Sequence, residues 1–342
     1  MEARFLRQAW YVAGWSHELR DAPSLGRTLL EEPVLLFPDR DGKIVAIGGR
    51  CPHRFAPLSM GRAEAGVVRC GYHGLAFDAT GRCVHNPHSS GKPPASLAVR
   101  RYPLEERDGL LWIWMGAPDA ADPGTLPRID GLDPSRHAIG HGYLHGSAHY
   151  QLMTDNILDL SHIEFLHPTL GTEAVSRAKV EVTQNGDRII TTRRMIDECL
   201  PEGLAKVYRT GGERVNRTMS VEWHAAANLV LTVTVEPADG SKRWQTGSQS
   251  LHLFTPETWG TTHYFYSGSR SYDIENTALT AQFMAALGKA FSTEDKPMIE
   301  AQQRMMGSHD IMALRPALLP IDEASVRARR ILDKRIDAES PR

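Results

Sequence analysis

Two short runs that each pair a cysteine with a histidine are the most informative residues of this 342-residue chain. The runs are Cys51–His53 and Cys70–His73, and residues 54–69 separate them. Iron–sulfur clusters are normally held by thiolates, and a [2Fe–2S] cluster with two imidazoles on one iron has a raised reduction potential. A structural zinc site is the alternative, although zinc motifs more often pair Cys with Cys and His with His at short spacing. The predicted cluster ligands are Cys51, His53, Cys70 and His73.

A second constellation consists of Asn156, Asp159, His162 and His167, at intervals of three, three and five residues. On a regular helix the two imidazoles point about 140° apart and cannot converge. The helix must therefore be distorted or end between them, and Pro168 favours an end nearby. Two imidazoles and one carboxylate form the open-sided non-haem Fe(II) site of oxygenases. A helix end with scattered polar residues is the alternative interpretation.

The carboxylate of such a site has three candidates. Glu294 and Asp295 are adjacent acids early in a helical segment, and Glu164 lies between the two histidines. Acids at a helix start also complement the helix dipole without binding any metal. The residues alone leave these three candidates open.

The elements that must position these groups fall into two parts. Apolar runs at 34–38, 43–47 and 110–114 are bounded by turn residues, and they predict a small antiparallel β domain. The proline- and aspartate-rich stretch 117–133 is the predicted connection. Runs at 188–192, 228–235 and 261–266 then predict an antiparallel sheet, and residues 276–306 predict helices that begin anew or kink at Pro297.

Composition excludes several classes of protein. The net charge of −2 and pI near 6.7 argue against a nucleic-acid partner. No apolar run approaches the roughly 18 residues of a membrane span, and Met1–Arg4 lacks the apolar core of a signal peptide. Cys83 and Cys199 are then expected to be inert thiols. The expected location is cytoplasmic.

Nearly the whole chain resembles the Rieske non-haem iron oxygenases. The similarity runs from Ala9–Ala13 through Cys51–Ser59, Cys70–Gly74 and Val84–His88 to Asp295, and its shape is that of the vanillate and dicamba O-demethylases. The resemblance implies an α+β fold, with an N-terminal antiparallel β Rieske [2Fe–2S] domain at 1–118. A catalytic domain with an antiparallel sheet covered by helices is expected at 119–342.

The resemblance also implies roles for site residues. His162, His167 and Asp295 correspond to the mononuclear Fe(II) ligands, with Asn156 beside them. It further implies a head-to-tail homotrimer, in which Asp159 hydrogen-bonds the cluster ligand His73 of a neighbour and supports His162. A carboxylate between two imidazoles fixes both tautomers.

The expected activity is that of an oxygenase component. It uses O₂ to hydroxylate a methoxy or methyl group of a small aromatic acid, releasing formaldehyde from a methoxy group. His252 matches a histidine beside the bound acid, and Asn228 offers an amide to an acidic group. Where dicamba-type enzymes have asparagine and tryptophan, this chain has Leu231 and Ala286, which argues against a dicamba-like substrate.

Electrons must come from elsewhere, because the chain has no dinucleotide-binding glycine loop and too few cysteines for a plant-type ferredoxin. We expect a separate NAD(P)H-dependent reductase with flavin and a ferredoxin-type centre. The alternatives are an aromatic ring hydroxylase or dihydroxylase, a non-catalytic Rieske electron-transfer protein, and a zinc-stabilised binding protein.

Overall fold

The structure is a computed structural model that describes residues 5–20, 22–90, 92–167 and 169–339. The chain divides into two compact units, Met1–Leu126 with Thr255–Trp259, and Pro127–Phe254 with Gly260–Arg342. The strands are β1 Trp10–Trp15, β2 Leu25–Leu29, β3 Glu32–Pro38, β4 Ile44–Gly48, β5 Arg62–Glu64, β6 Val67–Arg69, β7 Ala76–Asp78, β8 Cys83–His85, β9 Arg101–Tyr102, β10 Leu104–Arg107, β11 Leu110–Trp114, β12 Ala138–Gly146, β13 Val180–Asn185, β14 Arg188–Glu198, β15 Val215–His224, β16 Asn228–Pro237, β17 Thr246–Thr258 and β18 Thr261–Arg270. The α-helices are α1 Tyr150–Leu158, α2 Ile163–Leu166, α3 Glu173–Arg177, α4 Glu202–Val207, α5 Thr277–Lys289, α6 Lys296–Met306 and α7 Glu323–Glu339.

The first unit consists of small antiparallel sheets. Their strand orders are β1-β11-β10, β2-β3-β4-β9 and β5-β6-β7-β8. The turn between β3 and β4 shows how the sequence builds them: Gly42 adopts φ +83°, and the Asp39 carboxylate accepts the Asp41 and Lys43 N–H groups at 2.9 and 3.0 Å. Glycine tolerates that φ, and aspartate caps its own turn.

The core of this unit extends directly under the predicted cluster loops. Cys51 and Cys70 belong to the same buried cluster as Leu35, Phe37 and Phe77, which come from β3 and β7. Packing therefore anchors both cysteines in the strand scaffold.

The second unit is built on a seven-stranded antiparallel sheet of order β12-β18-β17-β16-β15-β14-β13. Burial alternates along β14 and β15, which is the period-two pattern of strands with one face packed. The inward positions include two buried charged residues, Arg193 and Arg217. Together the two units confirm the predicted α+β architecture.

The helices that carry the iron-site candidates are interrupted, and α2 ends between His162 and His167 as the sequence predicts. Helix α1 ends at Leu158, a 3₁₀ turn spans Leu160–His162, and α2 covers Ile163–Leu166. Pro168 lies outside the described residues. Between α5 and α6 a π-helix spans Ala290–Asp295, and Pro297 lies in the first turn of α6.

The predicted boundary between 118 and 119 stays a prediction. The connecting stretch holds short 3₁₀ turns at Pro118–Ala120, Pro123–Thr125 and Asp130–Leu132. Met1–Arg4 lie outside the described residues. In the described ranges, every helix is too short or too polar to cross a bilayer.

Candidate metal centres and active site

Two loops with matching backbone hydrogen bonds carry the predicted cluster ligands. In each loop the cysteine N–H donates to the carbonyl five residues further on, at 2.9 Å from Cys51 and 2.8 Å from Cys70. The residues before those acceptors, Phe55 and Gly74, adopt positive φ values of 58° and 73°. Each returns its N–H to the cysteine carbonyl, at 2.9 and 3.0 Å. The two loops are therefore closed in the same way, and each presents one sulfur and one imidazole.

The four side chains separate into a thiol pair and an imidazole pair. The Cys51 and Cys70 thiols are buried and lie within hydrogen-bonding distance of each other. Burial raises the pKa of the Cys51 thiol, and the neighbouring Cys70 raises it as well. The His53 and His73 rings lie 4.5 Å apart between centroids and are more exposed. In a Rieske cluster the histidines share one iron, so this pairing suits two-iron ligation.

A single tetrahedral zinc ion suits the geometry less well. Zinc holds its sulfur and nitrogen ligands about 3.3–3.8 Å from one another, given its bond lengths. Within the described ranges, only His162, His167 and Asp295 bring three such donor atoms within 4.8 Å of one another. The four cluster residues are therefore not gathered around one point.

The predicted iron ligands of the second unit do converge. The His162 and His167 Nε2 atoms lie 3.4 and 3.1 Å from Asp295 Oδ1. Helix α2 ends at Leu166, so His167 leaves the helical backbone and the two imidazoles face the same point, with centroids 5.3 Å apart. Two imidazole nitrogens and one carboxylate are the donor set of a non-haem Fe(II) site.

The Nδ1 atom of each imidazole lies within hydrogen-bonding distance of an acceptor oxygen. His162 Nδ1 lies 2.7 Å from the Asp159 backbone carbonyl, and His167 Nδ1 lies 2.6 Å from Glu294 Oε2. Both acceptors require a proton on Nδ1, which leaves both Nε2 atoms with lone pairs for a metal. Metal-binding histidines usually have such partners, so these residues fit a mononuclear iron.

The same contacts separate the carboxylate candidates. Glu294 contacts the far side of His167, whereas Asp295 faces both Nε2 atoms. Adjacent acids reach opposite sides of one imidazole because the π-helix turns less per residue than an α-helix. Glu164 accepts a hydrogen bond from Ser176 and lies outside the triad. This arrangement supports Asp295 as the ligand.

Electrostatics match that arrangement. Burial raises the pKa of Asp295, but the neighbouring His162 and His167 imidazoles outweigh it and hold this pKa well below its usual value. Burial lowers the pKa of His167, but Asp295 and Glu294 raise it by a larger amount. The pKa of His167 therefore lies above its usual value. The Asn156 amide donates to Asp295 Oδ1 at 3.0 Å and lies 3.5 Å from His162 Nε2.

Asp159 supports His162 differently from the expectation. Its backbone carbonyl, not its carboxylate, contacts the imidazole. The carboxylate caps the following 3₁₀ turn through the Ser161 N–H at 3.0 Å, and it pairs with Arg193 at 3.0 Å. The partners of the Asp159 carboxylate are therefore the Ser161 N–H in the following turn and the Arg193 guanidinium. Its contact with His73 of a neighbouring copy stays a prediction.

The predicted substrate contacts are both buried in the sheet. His252 forms hydrogen bonds through Nε2 with Ser250 Oγ at 3.0 Å and through Nδ1 with Tyr264 Oη at 2.7 Å. Burial lowers the pKa of His252 to about 3. It is therefore a neutral histidine with both nitrogens occupied. Asn228 is buried at the start of β16, opposite His224 and Leu253. Their roles toward substrate stay predictions that this geometry does not support.

Two cavities reach the triad. One, the apolar cavity, has a volume of about 20 Å³. The other, the wide cavity, measures about 330 Å³, and its wall includes Asp159 and His162. The apolar cavity is lined by Leu144, Gly146, Met153, Asn156, Ile157, Phe254, Tyr264, Phe291, Asp295, Lys296 and Ile299. Neither cavity is lined by His252 or Asn228.

The sequence reading missed Arg193. Its side chain is 5 % exposed, and its guanidinium pairs with Asp159 and also donates to the Val175 carbonyl. It thereby fixes the loop that follows α1 to the sheet. A charged residue at an inward position of an alternating strand is the signal that could have identified it.

Comparisons with known proteins agree with the two-part organisation. Residues 9–103 match the Rieske [2Fe-2S] domain family, and residues 147–338 match the vanillate O-demethylase oxygenase C-terminal domain family. The oxygenase component of dicamba O-demethylase from Stenotrophomonas maltophilia is 39 % identical over 333 residues, which cover 96 % of this chain and 97 % of that protein. An iron-sulfur subunit of the toluene-4-sulfonate monooxygenase system of Comamonas testosteroni is 35 % identical, covering 98 % of each chain.

A solved structure of dicamba monooxygenase with non-haem iron and dicamba superposes with a TM-score of 0.84 at 36 % identity, covering 98 % of this chain and 99 % of that one. The predicted cofactors, a Rieske [2Fe–2S] cluster and a mononuclear iron, are confirmed at the level of the family. An oxygenase component of this kind requires a separate reductase and acts on an aromatic substrate. The chain belongs to the Rieske non-haem iron monooxygenases, as an oxygenase component with a C-terminal domain of the vanillate O-demethylase type.

Proposed function

We propose that this oxygenase component hydroxylates a methoxy or methyl group of a small aromatic acid. The main support for this proposal is the triad of His162, His167 and Asp295, whose donor atoms lie within 4.8 Å of one another. Of the two relatives, one is named for dicamba O-demethylation and one for toluene-4-sulfonate oxidation. Those names support an aromatic acid or sulfonate bearing a methyl group on oxygen or carbon.

Each residue of the triad has a distinct task. When bound, the iron activates O₂ with electrons that the [2Fe–2S] cluster supplies one at a time. His162 and His167 are held in one tautomer by the Asp159 carbonyl and by Glu294. Asp295 remains ionised, and the Asn156 amide fixes its orientation. The protein thereby presents an open coordination face before any substrate arrives.

The overall reaction balances for either substrate. A methyl ether, O₂, two electrons and two protons give a hydroxymethyl ether and water. That hemiacetal then releases formaldehyde and the phenol. A methyl group on carbon stops at the benzylic alcohol. Both outcomes need oxidation of the methyl C–H bond nearest the iron.

The proposed trimer brings a cluster to the iron of a neighbouring copy. Around the cluster loops the side chains of Phe55, Met60 and Tyr72 are 71 %, 79 % and 61 % exposed, which is unusual for large apolar groups. The wide cavity carries Asp159 and His162 on its wall, and the side chain of Met298, also in that wall, is 57 % exposed. The exposed apolar residues beside the cluster loops, and the wide cavity beside Asp159 and His162, support docking of one copy onto another. A cytoplasmic location also stays a prediction.

The reaction is tested with purified holoprotein and a surrogate reductase. We expect O₂ and NADH consumption that depends on methoxy- or methyl-substituted benzoates, with formaldehyde stoichiometric for methoxy substrates. The control is His167→Ala, which should keep the brown cluster and lose mononuclear iron and turnover. Vicinal ring hydroxyls with the methyl group intact would instead establish a dihydroxylase. Iron, zinc and sulfide analysis that finds zinc but neither iron nor sulfide would exclude both enzymes.

Electron transfer between copies has its own test. Cys70→Ser should remove the cluster, and Asp295→Asn should remove the mononuclear iron, so each variant alone should be inactive. Exchange of subunits between the two should restore part of the turnover, because an intact cluster then faces an intact iron site on another copy. A mixture that exchanges subunits and stays inactive contradicts the proposal, as does an active monomer in sedimentation experiments.

A further inference from the structure

The apolar cavity adjoins the iron triad. It lies among β12, α1, β17, β18, the π-helix and α6. It shares Asn156 and Asp295 with the triad, and its other walls include Phe254, Phe291 and Ile157. Those three side chains are at most 8 % exposed. The cavity therefore connects a buried apolar volume to the site where oxygen reacts.

Its size excludes an aromatic acid. The volume is about 20 Å³, whereas pockets for small organic ligands measure roughly 300–1,000 Å³. A single water molecule needs about 10–15 Å³ on the same measure. The cavity has room for one very small molecule.

Its chemistry disfavours water as that molecule. A buried water needs two to four polar partners, and purely apolar cavities stay dry and take up xenon. Each polar side chain in this wall already has at least one partner. The Asn156 amide donates to Asp295, the Tyr264 hydroxyl contacts His252, and the Lys296 ammonium pairs with Glu300. A small apolar molecule fits this wall better.

We propose that the apolar cavity holds dioxygen beside the iron before it reacts. Dioxygen is apolar, diatomic and a substrate of every monooxygenase, and the cavity opens on the carboxylate proposed as an iron ligand. The inference rests on the proposed ligation by Asp295. It adds a binding site for O₂ that is separate from the site of the aromatic acid.

The first test is binding without turnover. Crystals of the holoprotein under xenon pressure should show a xenon atom between Leu144 and Phe291. Leu144→Phe, which adds volume at the wall, should remove it. Gly146→Ala offers a smaller perturbation, because its Cβ would lie 2.0 Å from the Met153 methyl and push that flexible side chain. Ile139→Phe is the control, since it adds a ring on the opposite face of the same strand.

The second test is kinetic and uses the same variants. With saturating aromatic substrate and surrogate reductase, Leu144→Phe should raise KM for O₂ several-fold and leave kcat and KM for the aromatic acid unchanged. Absence of xenon at this position in the wild type refutes the proposal. So does a Leu144→Phe variant that raises KM for the aromatic acid instead. Xenon binding needs no turnover, so it separates this inference from failure of the proposed activity.

Discussion

Replacement of Glu294 provides a quantitative test of how the iron site is built. Glu294→Gln keeps a hydrogen-bond acceptor 2.6 Å from His167 Nδ1 but removes its charge. Hydrogen bonds to charged groups contribute about 1.5–3 kcal/mol and neutral ones about 0.5–1.5 kcal/mol. The Glu294 side chain is 23 % exposed, so solvent screens part of the difference. We expect a loss of about 1 kcal/mol, or roughly fivefold in Fe(II) affinity.

Removal of the acceptor is a larger perturbation. Glu294→Leu should lower Fe(II) affinity about 10- to 100-fold, which is the usual range for groups behind a metal-binding histidine. Asp295→Asn removes a ligand and should leave no iron after dialysis. Glu164→Gln is a matched control, because its carboxylate bonds Ser176 outside the triad.

The assay is anaerobic titration of iron-depleted protein with Fe(II) against a competing chelator, with the visible absorption of the cluster as an internal measure of folding. The expected order of affinity is Glu164→Gln, then Glu294→Gln, then Glu294→Leu, then Asp295→Asn. If Asp295→Asn binds iron normally while Glu294→Gln loses it, the assignment of the two acids is reversed and the reasoning fails.

Three further outcomes follow from contacts elsewhere in the fold. Arg217→Met leaves Glu198 charged and buried without its partner, since the two side chains are only 4 % and 1 % exposed. Urea denaturation followed by circular dichroism should show a free energy of unfolding lower by about 3–5 kcal/mol. Adding Glu198→Leu should restore most of that stability. Burial lowers the pKa of His252 to about 3, so the unfolded state binds more protons between about pH 6.5 and 3. Stability should therefore fall as pH falls through that range, and less steeply in His252→Gln; an unchanged slope would contradict the burial argument. Asp159→Asn should keep both metal centres by elemental analysis and lower turnover about a hundredfold. Full turnover would show that electron transfer from the cluster to the iron does not depend on this carboxylate.

The cluster loops could be predicted from sequence because their chemistry is local. A cysteine and a histidine two or three residues apart lie on one loop, whatever the rest of the chain does. The spacing of His162 and His167 likewise predicted a helix distortion or end between them, and α2 does end at Leu166, directly before His167. In both places the constraint acts over a few residues, so geometry alone carries the inference.

The contacts that could not be predicted join residues far apart in the chain or depend on irregular backbone. Arg193 meets Asp159 across 34 positions, and no local pattern marks that pair. The roles of Glu294 and Asp295 depend on a π-helix, which residue propensities do not reveal. The contacts of His252 with Ser250 and Tyr264 were likewise not visible in the sequence, and its role toward substrate stays a prediction.

The discontinuous make-up of the first unit limits how this protein can be inherited or engineered. Thr255–Trp259 belongs to that unit although it lies more than a hundred residues beyond Leu126. There its backbone accepts the Leu30 and Glu31 N–H groups at 2.8 Å, and the Thr255 hydroxyl donates to the Val12 carbonyl at 2.8 Å. A gene fragment ending near residue 126 would encode an incomplete module with those groups unpaired. Recombination at a single point therefore cannot exchange the electron-carrying module intact between related genes; a viable chimera must also bring the matching tip of the β17–β18 hairpin.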